Sequence, residues 1–388
     1  GLFDPAERVT FAGIGPEIVA SRPHLALARR AAINSLVLLK NNGILPLAPC
    51  LQSAMIVGPA AASVDALLGN YFGLGPQLVT VVEGITERAP EGLRLGYSVG
   101  CLPNDDRVLP GPGAVWECSQ ADVTIVVLGA LPIYEGEEGD AFASRHAGDR
   151  ERIELPASQR ALLVKLRANQ KPTILILAGG GAIACPEEAE WCDAILQMWY
   201  PGAEGGRAVA QVLFGDAEPG GRLPVTVPRR TEDLPPFEDY AMAGRTYRYA
   251  TTPPLFPFGY GLGYTTWSLS DSRCERDARG EPCAFHVSLR NTGTRAGRTV
   301  VQLYRVPPAS AGGPQTSLVD FAAVELTAGE TRPLRFSLPS ETWALHDEAG
   351  RRQRISGVWE IVAAFAAPTE RAAALGVPAP QRVRCVIA

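Results

Sequence analysis

The chain has 388 residues, of which 46% are hydrophobic and 20% are charged, a balance typical of a soluble globular protein with more than one domain. Its formal net charge of −5 and the lack of any Lys- and Arg-rich run argue against a nucleic-acid partner. Because no segment approaches the roughly 18 consecutive apolar residues of a membrane-spanning helix, we expect no membrane partner either.

The first part of the chain has the pattern of an α/β domain. Apolar residues with helical spacing run from His24 to Ser35, and an apolar run continues to Leu39. Nearly continuous aliphatic segments, typical of strands buried on both faces of a sheet, then occur at 54–59, 123–129 and 173–178.

Two further helices are predicted among these strands, at 156–166 and at 205–214. The first lies between the second and third aliphatic segments, and a strand, helix and strand in succession indicate a parallel crossover. We therefore expect a layered α/β sandwich with a mostly parallel sheet over residues 24–227.

In the rest of the chain the spacing of the apolar residues changes. Residues 228–268 are rich in Pro, Gly and Tyr and predict an extended connector. From Cys283 onward apolar and polar residues alternate, as in Phe285, Val287 and Leu289. This alternation, with turn signals between the runs, predicts an all-β immunoglobulin-like sandwich over residues 269–388.

The cysteines do not predict a metal site. Eight are present without a C-x-x-C pair, and His occurs only four times, so we expect neither metal nor cofactor. Most are expected to be small buried hydrophobic groups. If the protein is exported, a disulfide between Cys274 and Cys283 is an option.

An acidic loop follows the strand at 123–129. It carries Glu135, Glu137, Glu138 and Asp140 just beyond the carboxyl end of the strand, where open α/β sheets commonly present ligands. Crowded like charges favour the protonated form of a carboxyl group, which suits proton donation. Taken alone, the loop also fits a solvated acidic turn with no chemical role.

Several motifs occur in an order that resembles glycoside hydrolase family 3, specifically its β-xylosidase and β-glucosidase branch. They are Ser35-Leu36-Val37-Leu38-Leu39-Lys40-Asn41, Gly69-Asn70-Tyr71, Trp199-Tyr200-Pro201-Gly202, Val212-Leu213-Phe214-Gly215-Asp216, Pro219-Gly220-Gly221-Arg222-Leu223-Pro224, Gly244-Arg245-Thr246-Tyr247-Arg248-Tyr249, Phe256-Pro257-Phe258-Gly259-Tyr260-Gly261 and Val300-Val301-Gln302-Leu303-Tyr304.

This resemblance implies further domains and partners. The all-β unit is expected to be of the fibronectin type III kind, and residues 1–23 to be the linker from an N-terminal barrel domain that this sequence lacks. In the family that barrel supplies an Asp nucleophile and most of the sugar-binding groups. Any signal peptide would lie upstream of Gly1 or be absent.

The resemblance also places the catalytic acid/base glutamate a few residues past the strand at 123–129. Distance from Gly129 points first to Glu135, spacing to Asp140 points second to Glu137, and Glu138 remains a third candidate. Asp149-Arg150 is also similar to the family pattern, although such a pair commonly fixes a loop. Aromatic residues that could face a sugar are Tyr71, Trp199, Tyr200, Tyr247 and Tyr249.

The expected function is that of a retaining, exo-acting β-glycosidase, a β-xylosidase or β-glucosidase, acting on an oligosaccharide or an aryl glycoside. This chain would supply the acid/base, and we expect it to be inactive without the barrel. The alternative is a non-catalytic carbohydrate-binding or scaffold chain. A nucleotide loop at Gly179-Gly180-Gly181 is set aside, because the run matches neither dinucleotide nor P-loop spacing.

Overall fold

The computed structural model describes residues 1–70, 72–105, 112–136, 139, 144, 148–347 and 349–388. Strands and helices alternate through the first half of the chain. In order they are α1 (Arg22–Ser35), β1 (Val37–Asn41), β2 (Ser53–Val57), α2 (Val81–Arg88), β3 (Arg94–Ser98), α3 (Pro112–Gln120), β4 (Val123–Gly129), α4 (Ala157–Ala168), β5 (Thr173–Ala178), α5 (Pro186–Trp191), β6 (Ala194–Trp199) and α6 (Gly205–Leu213).

These strands form a six-stranded sheet in the order β1-β6-β5-β4-β2-β3. Every neighbouring pair from β6 to β3 is parallel, whereas β1 runs antiparallel to β6 at one edge. The predicted mostly parallel sheet is therefore confirmed. The apolar run at Leu36–Leu39, which follows the first helix in the sequence, forms the antiparallel edge strand.

Helices cover both faces of the sheet, which explains why the sequences of its central strands are nearly continuous aliphatic runs. Ile125 and Val127 of β4 belong to one core cluster with residues of α1, α2 and α6. Val126 and Leu128 belong to a second cluster with residues of α3 and α4. Successive side chains of β4 therefore alternate between the two core clusters, one on each face of the sheet.

The strand order reverses between β2 and β4. The chain passes from β2 to β3 on one side, then crosses to β4, β5 and β6 on the other. In open α/β sheets the crevice beyond the carboxyl ends at such a reversal is the usual ligand site. The loops after β2 and β4 open into this crevice.

A connector links the sheet to the second half of the chain and includes the short helix α7 (Thr246–Tyr249). Its backbone bonds to the sheet, where Leu262 N–H donates to the Leu38 carbonyl at 2.8 Å. It also bonds to the second unit, because the buried Gln302 Nε2 donates to the Gly259 carbonyl at 2.9 Å. Arg222 Nη2 donates to Thr299 Oγ1 at 2.9 Å and joins the two units directly.

The second unit is a β-sandwich. Its elements are β7 (Trp267–Arg276), β8 (Pro282–Asn291), β9 (Gly297–Val306), β10 (Ser317–Leu326), β11 (Thr331–Ser337), β12 (Ala344–His346), β13 (Arg352–Arg354), β14 (Gly357–Ala364), α8 (Glu370–Ala374) and β15 (Gln381–Ile387). Antiparallel sheets with the orders β10-β9-β14-β15 and β11-β8-β7 enclose one apolar core. The all-β sandwich expected from the two-residue period is confirmed.

The end of β4 is held by a buried glutamine. Gln159 of α4 is 0% exposed, and its Oε1 accepts from Gly129 N–H at 2.9 Å. Its Nε2 donates to the carbonyl oxygens of Gly129 at 2.9 Å and Pro103 at 2.6 Å. One side chain therefore satisfies both backbone groups of the residue from which the acidic loop departs.

Replacing Gln159 with the similarly sized Met is expected to lower the free energy of unfolding by about 2–4 kcal/mol, because buried backbone groups of Gly129 and Pro103 lose their partners. Urea denaturation measures the difference. Gln120→Met, at the exposed end of α3, is the control and should stay within about 0.5 kcal/mol of the parent. Equal losses for the two variants would contradict this role of Gln159.

Candidate active site

Glu135 lies at the carboxyl edge of the sheet. After β4 ends at Gly129 the chain turns, with Tyr134 N–H donating to the Leu131 carbonyl at 2.9 Å and Glu135 N–H to the Pro132 carbonyl at 3.3 Å. These bonds bring the carboxyl group of Glu135 back over the strand ends. The first of the three predicted acid/base candidates therefore lies beside the crevice between β2 and β4.

An arginine holds this carboxyl group. Arg150 Nε donates to Glu135 Oε1 at 2.9 Å, and the side chains of Arg150 and Glu135 are only 19% and 21% exposed. Arg150 Nη2 also donates to the Ala182 carbonyl at 3.3 Å, in the segment after β5. Partial burial makes such a charge-assisted bond stronger than a typical surface pair.

Tyr200 closes another side of the site from the end of β6. Its hydroxyl donates to the Ala130 carbonyl at 3.1 Å. Burial, with the charge of Glu135 as a further cause, raises the pKa of Tyr200 to about 12. The phenol therefore stays protonated at neutral pH and offers an aromatic surface with a neutral hydroxyl.

The glycine run after β5 makes room for these groups. A Cβ on Gly180 would lie 3.0 Å from the Tyr200 ring, and one on Gly181 would lie 2.7 Å from Arg150 Nη2. Close packing of an aromatic ring and a guanidinium explains Gly180 and Gly181, and a φ of +147° explains Gly179, without any nucleotide.

The loop after β2 also reaches the site, because Asn70 Nδ2 donates to the Glu135 carbonyl at 3.2 Å. Segments that follow β2, β4, β5 and β6 therefore meet around Glu135 and Arg150. This convergence comes from parallel strands, whose carboxyl ends share one edge of the sheet.

One oxygen of Glu135 remains without a partner. Oε2 is buried and makes no hydrogen bond within the part of the chain that the structure describes. A buried carboxylate oxygen without a donor is costly, so such atoms commonly mark sites where a proton or a ligand is bound. Oε1 is occupied by Arg150, so Oε2 is the oxygen of this carboxyl group that has no donor among the described residues.

A cavity of about 250 Å³ lies beside Arg150 of the ion pair. Its lining includes Tyr134, Arg150 and Ile183 together with the charged residues Asp149, Arg152 and Glu154. A lining with both positive and negative side chains suits a neutral ligand with many hydroxyl groups better than a strongly charged ligand.

Other predicted residues fall in different places. Glu137, Glu138 and Tyr71 lie outside the described residues. The ring of Tyr247 stacks on Phe258 with centroids 4.3 Å apart, and its hydroxyl accepts from Leu318 N–H at 3.1 Å. Tyr247 thus packs the connector against the sandwich. Trp199 donates its indole N–H to the Ser35 carbonyl at 3.0 Å.

Sequence reasoning did not single out Asn70 and treated Arg150 as a partner for Asp149. The signals were the Gly69-Asn70-Tyr71 and Asp149-Arg150 motifs, but neither motif indicates that its polar side chain turns toward Glu135. In the described ranges, no group of three or more His, Cys, Asp and Glu residues could hold a metal ion. The helices described there also include none long and apolar enough to cross a bilayer.

Comparisons with known proteins agree with this architecture. The model of the glycosyl hydrolase family 3 C-terminal domain matches residues 36–264, and that of a fibronectin type III-like domain matches residues 299–365. A xylan 1,4-β-xylosidase of Xylanibacter ruminicola is 42% identical over 236 residues, which cover 60% of this chain and 27% of the relative. A periplasmic β-glucosidase of Salmonella typhimurium is 34% identical over 363 residues, covering 83% of this chain and 46% of the relative.

Solved structures give the same result. A β-glucosidase from Erythrobacter marinus superposes with a TM-score of 0.80 at 32% identity, covering 97% of this chain and 52% of that one. A family 3 exo-β-xylosidase bound to a xylobiose aziridine probe gives a TM-score of 0.81 at 26% identity, with 98% and 52% covered. This chain spans about half or less of the length of these proteins. The family model covers more than half of the chain, which therefore belongs to glycosyl hydrolase family 3.

Proposed function

We propose that this chain is the acid/base-bearing part of a retaining, exo-acting β-glycosidase that releases xylose or glucose from the non-reducing ends of oligosaccharides. Membership of glycosyl hydrolase family 3 and relatives named as a β-xylosidase and a β-glucosidase support this function. The observation that carries it is the placement of Glu135 at the carboxyl ends of the strands, with one oxygen held by Arg150 and the other unpartnered.

Glu135 then acts twice in each catalytic cycle. It first donates a proton to the departing glycosidic oxygen, and its carboxylate later accepts a proton from the water that attacks the glycosyl-enzyme intermediate. Because Arg150 engages Oε1, this proposal assigns the proton transfer to Oε2. Arg150 orients the carboxyl group and stabilises the carboxylate that exists between the two steps.

The second carboxyl group comes from another domain under this proposal. Retaining hydrolysis needs a nucleophilic carboxylate roughly 5 Å from the acid. The family resemblance assigns it to an Asp of an N-terminal barrel, and the chain spans only 46% of the Salmonella relative. The crevice at the carboxyl edge, where Asn70, Tyr200 and Glu135 meet, is the surface that would face this barrel.

β-Xylosides are the first substrates to test. The Xylanibacter relative, with 42% identity, is named a xylan 1,4-β-xylosidase. β-Glucosides are the second choice, because the Salmonella relative and several similar structures are named β-glucosidases. The reaction as proposed uses only carboxyl groups and water, so no cofactor takes part.

The purified 388-residue chain is expected to hydrolyse neither nitrophenyl β-xyloside nor nitrophenyl β-glucoside at an enzymatic rate, because no covalent intermediate forms without the nucleophile. Protein that also carries the barrel should turn over at least one of them. Release of nitrophenol measures both. Rapid turnover by the chain alone would place the nucleophile within it, whereas inactivity of both proteins would favour a carbohydrate-binding or scaffold role.

In the protein that carries the barrel, Glu135→Ala should reduce kcat/KM for substrates with poor leaving groups by roughly 10²–10⁴-fold, because their departing oxygen needs a proton. Aryl glycosides with good leaving groups need it less and should lose less. Azide should then restore turnover of the good substrates by attacking the glycosyl-enzyme in place of water. Initial rates over a series of leaving groups, with and without azide, measure these effects.

Glu137→Ala and Glu138→Ala are the matched controls from the same loop, made separately because adjacent carboxylates influence each other's protonation. Neither should give both leaving-group dependence and azide rescue. If one of them does so while Glu135→Ala does not, the assignment moves to that residue. If none of the three does, the acidic loop has a structural role and the acid lies elsewhere.

A further inference from the structure

Two cysteines face each other across the open side of the β-sandwich. Cys274 lies on β7, the edge of one sheet, and Cys385 lies on β15, the edge of the other. Their Sγ atoms are 3.0 Å apart although the residues are 111 positions apart in the chain. A side-chain bond from Ser272 to Gln381, 3.3 Å long, joins the same two strands.

The spacing and the surroundings fit a covalent link. Non-bonded carbon atoms pack at about 3.5–4.0 Å, and sulfur is a larger atom, so 3.0 Å is a very close contact for two thiols. Cys385 is 0% exposed within the sandwich core, and Cys274 is partly buried against the same core. Forming a bond here therefore requires little movement of either strand.

We propose that Cys274 and Cys385 form a disulfide that cross-links the edge strands β7 and β15 and stabilises the sandwich. From the sequence, a different pairing, between Cys274 and Cys283, was an option only if the protein is exported. In the structure Cys283 Sγ instead donates to the Glu275 carbonyl at 3.6 Å. Cys283 is therefore the matched control on the strand next to β7.

The bond forms by thiol–disulfide exchange with a small disulfide such as oxidised glutathione. The thiolate of Cys274, the cysteine nearer to solvent, attacks one glutathione sulfur and releases the first glutathione thiolate. The thiolate of Cys385 then attacks Cys274 Sγ of the mixed disulfide and releases the second. Two cysteine thiols are oxidised, one glutathione disulfide is reduced to two glutathione thiols, and these take up the two protons.

The local electrostatics bear on the first step. The hydrogen bond with Cys385 and burial raise the pKa of the Cys274 thiol, so the thiolate that attacks glutathione becomes more available as the pH rises. The cross-link would close a long loop, and disulfides that close long loops restrict the unfolded chain most strongly.

The test is a peptide map of the 388-residue chain after equilibration with oxidised glutathione. The protein is unfolded without reductant, alkylated with iodoacetamide and digested. The proposal expects a peptide pair joined through Cys274 and Cys385, lighter than the separate peptides by two hydrogen atoms, with Cys283 alkylated. Alkylation of both Cys274 and Cys385, or a link from Cys274 to Cys283, would overturn it.

Melting temperatures test the stabilising effect. Reduction should lower the melting temperature of the parent chain and of Cys283→Ser by at least about 5 °C, because the unfolded chain regains its freedom. Cys274→Ser cannot form the bond and should melt at the same temperature with or without reductant. A parent chain that is insensitive to reduction would contradict the stabilising role.

Discussion

The bonds between Gln159 and Gly129 hold the end of β4, and the candidate active site depends on where that strand ends. A Cβ on Gly129 would lie 1.7 Å from the Ala178 carbonyl oxygen of β5, so only glycine allows the strands to approach so closely at this edge. Gln159 then satisfies both backbone groups of Gly129 from the adjacent helix. The loop that carries Glu135 therefore starts from a fixed point, and Arg150 can meet it with a defined geometry.

The sandwich is joined to the α/β unit by polar contacts rather than by a free linker. Gln302 donates to the carbonyl oxygens of Gly259 and Phe365, and Arg222 donates to Thr299. Arg295 Nη2 adds a bond to the Gly215 carbonyl at 2.9 Å. Such buried polar bonds are directional, so they fix the orientation of one unit relative to the other as well as adding stability. The connector lies between the units and is held from both sides.

Features set by local pattern could be predicted from the sequence. The strands β4 and β5 are almost wholly aliphatic because both sheet faces are covered. In β8 apolar and polar residues alternate because one face meets solvent, whereas both faces of the second half of β14 are buried. The edge strand β3 was not singled out, since Arg94 and Tyr97 interrupt its apolar residues and much of it remains exposed. In β6 the polar Gln197 is buried, where its Nε2 donates to the Gly179 carbonyl at 3.1 Å.

Pairings between distant side chains were harder to predict. The acidic loop was recognised, but the choice of Arg150 as the partner of Glu135 depends on how the segment after the loop folds back toward β5. The choice between Cys283 and Cys385 as the neighbour of Cys274 depends on which sheet edges meet. Composition and spacing carry no information on either contact, because both follow from tertiary structure. The fold was accordingly easier to predict than the details of the site.

The backbone contact between Leu262 and Leu38 has a consequence for self-association. β1 pairs with β6 on one side only, and Val37, Leu38 and Leu39 are all buried apolar residues. An uncovered edge of this kind presents unpaired backbone groups to other molecules and favours intermolecular strand pairing. The connector covers it by donating to the Leu38 carbonyl. A protein truncated before the connector would thus expose the β1 edge to pairing with other molecules. Its solubility would fall even if its own sheet stayed folded.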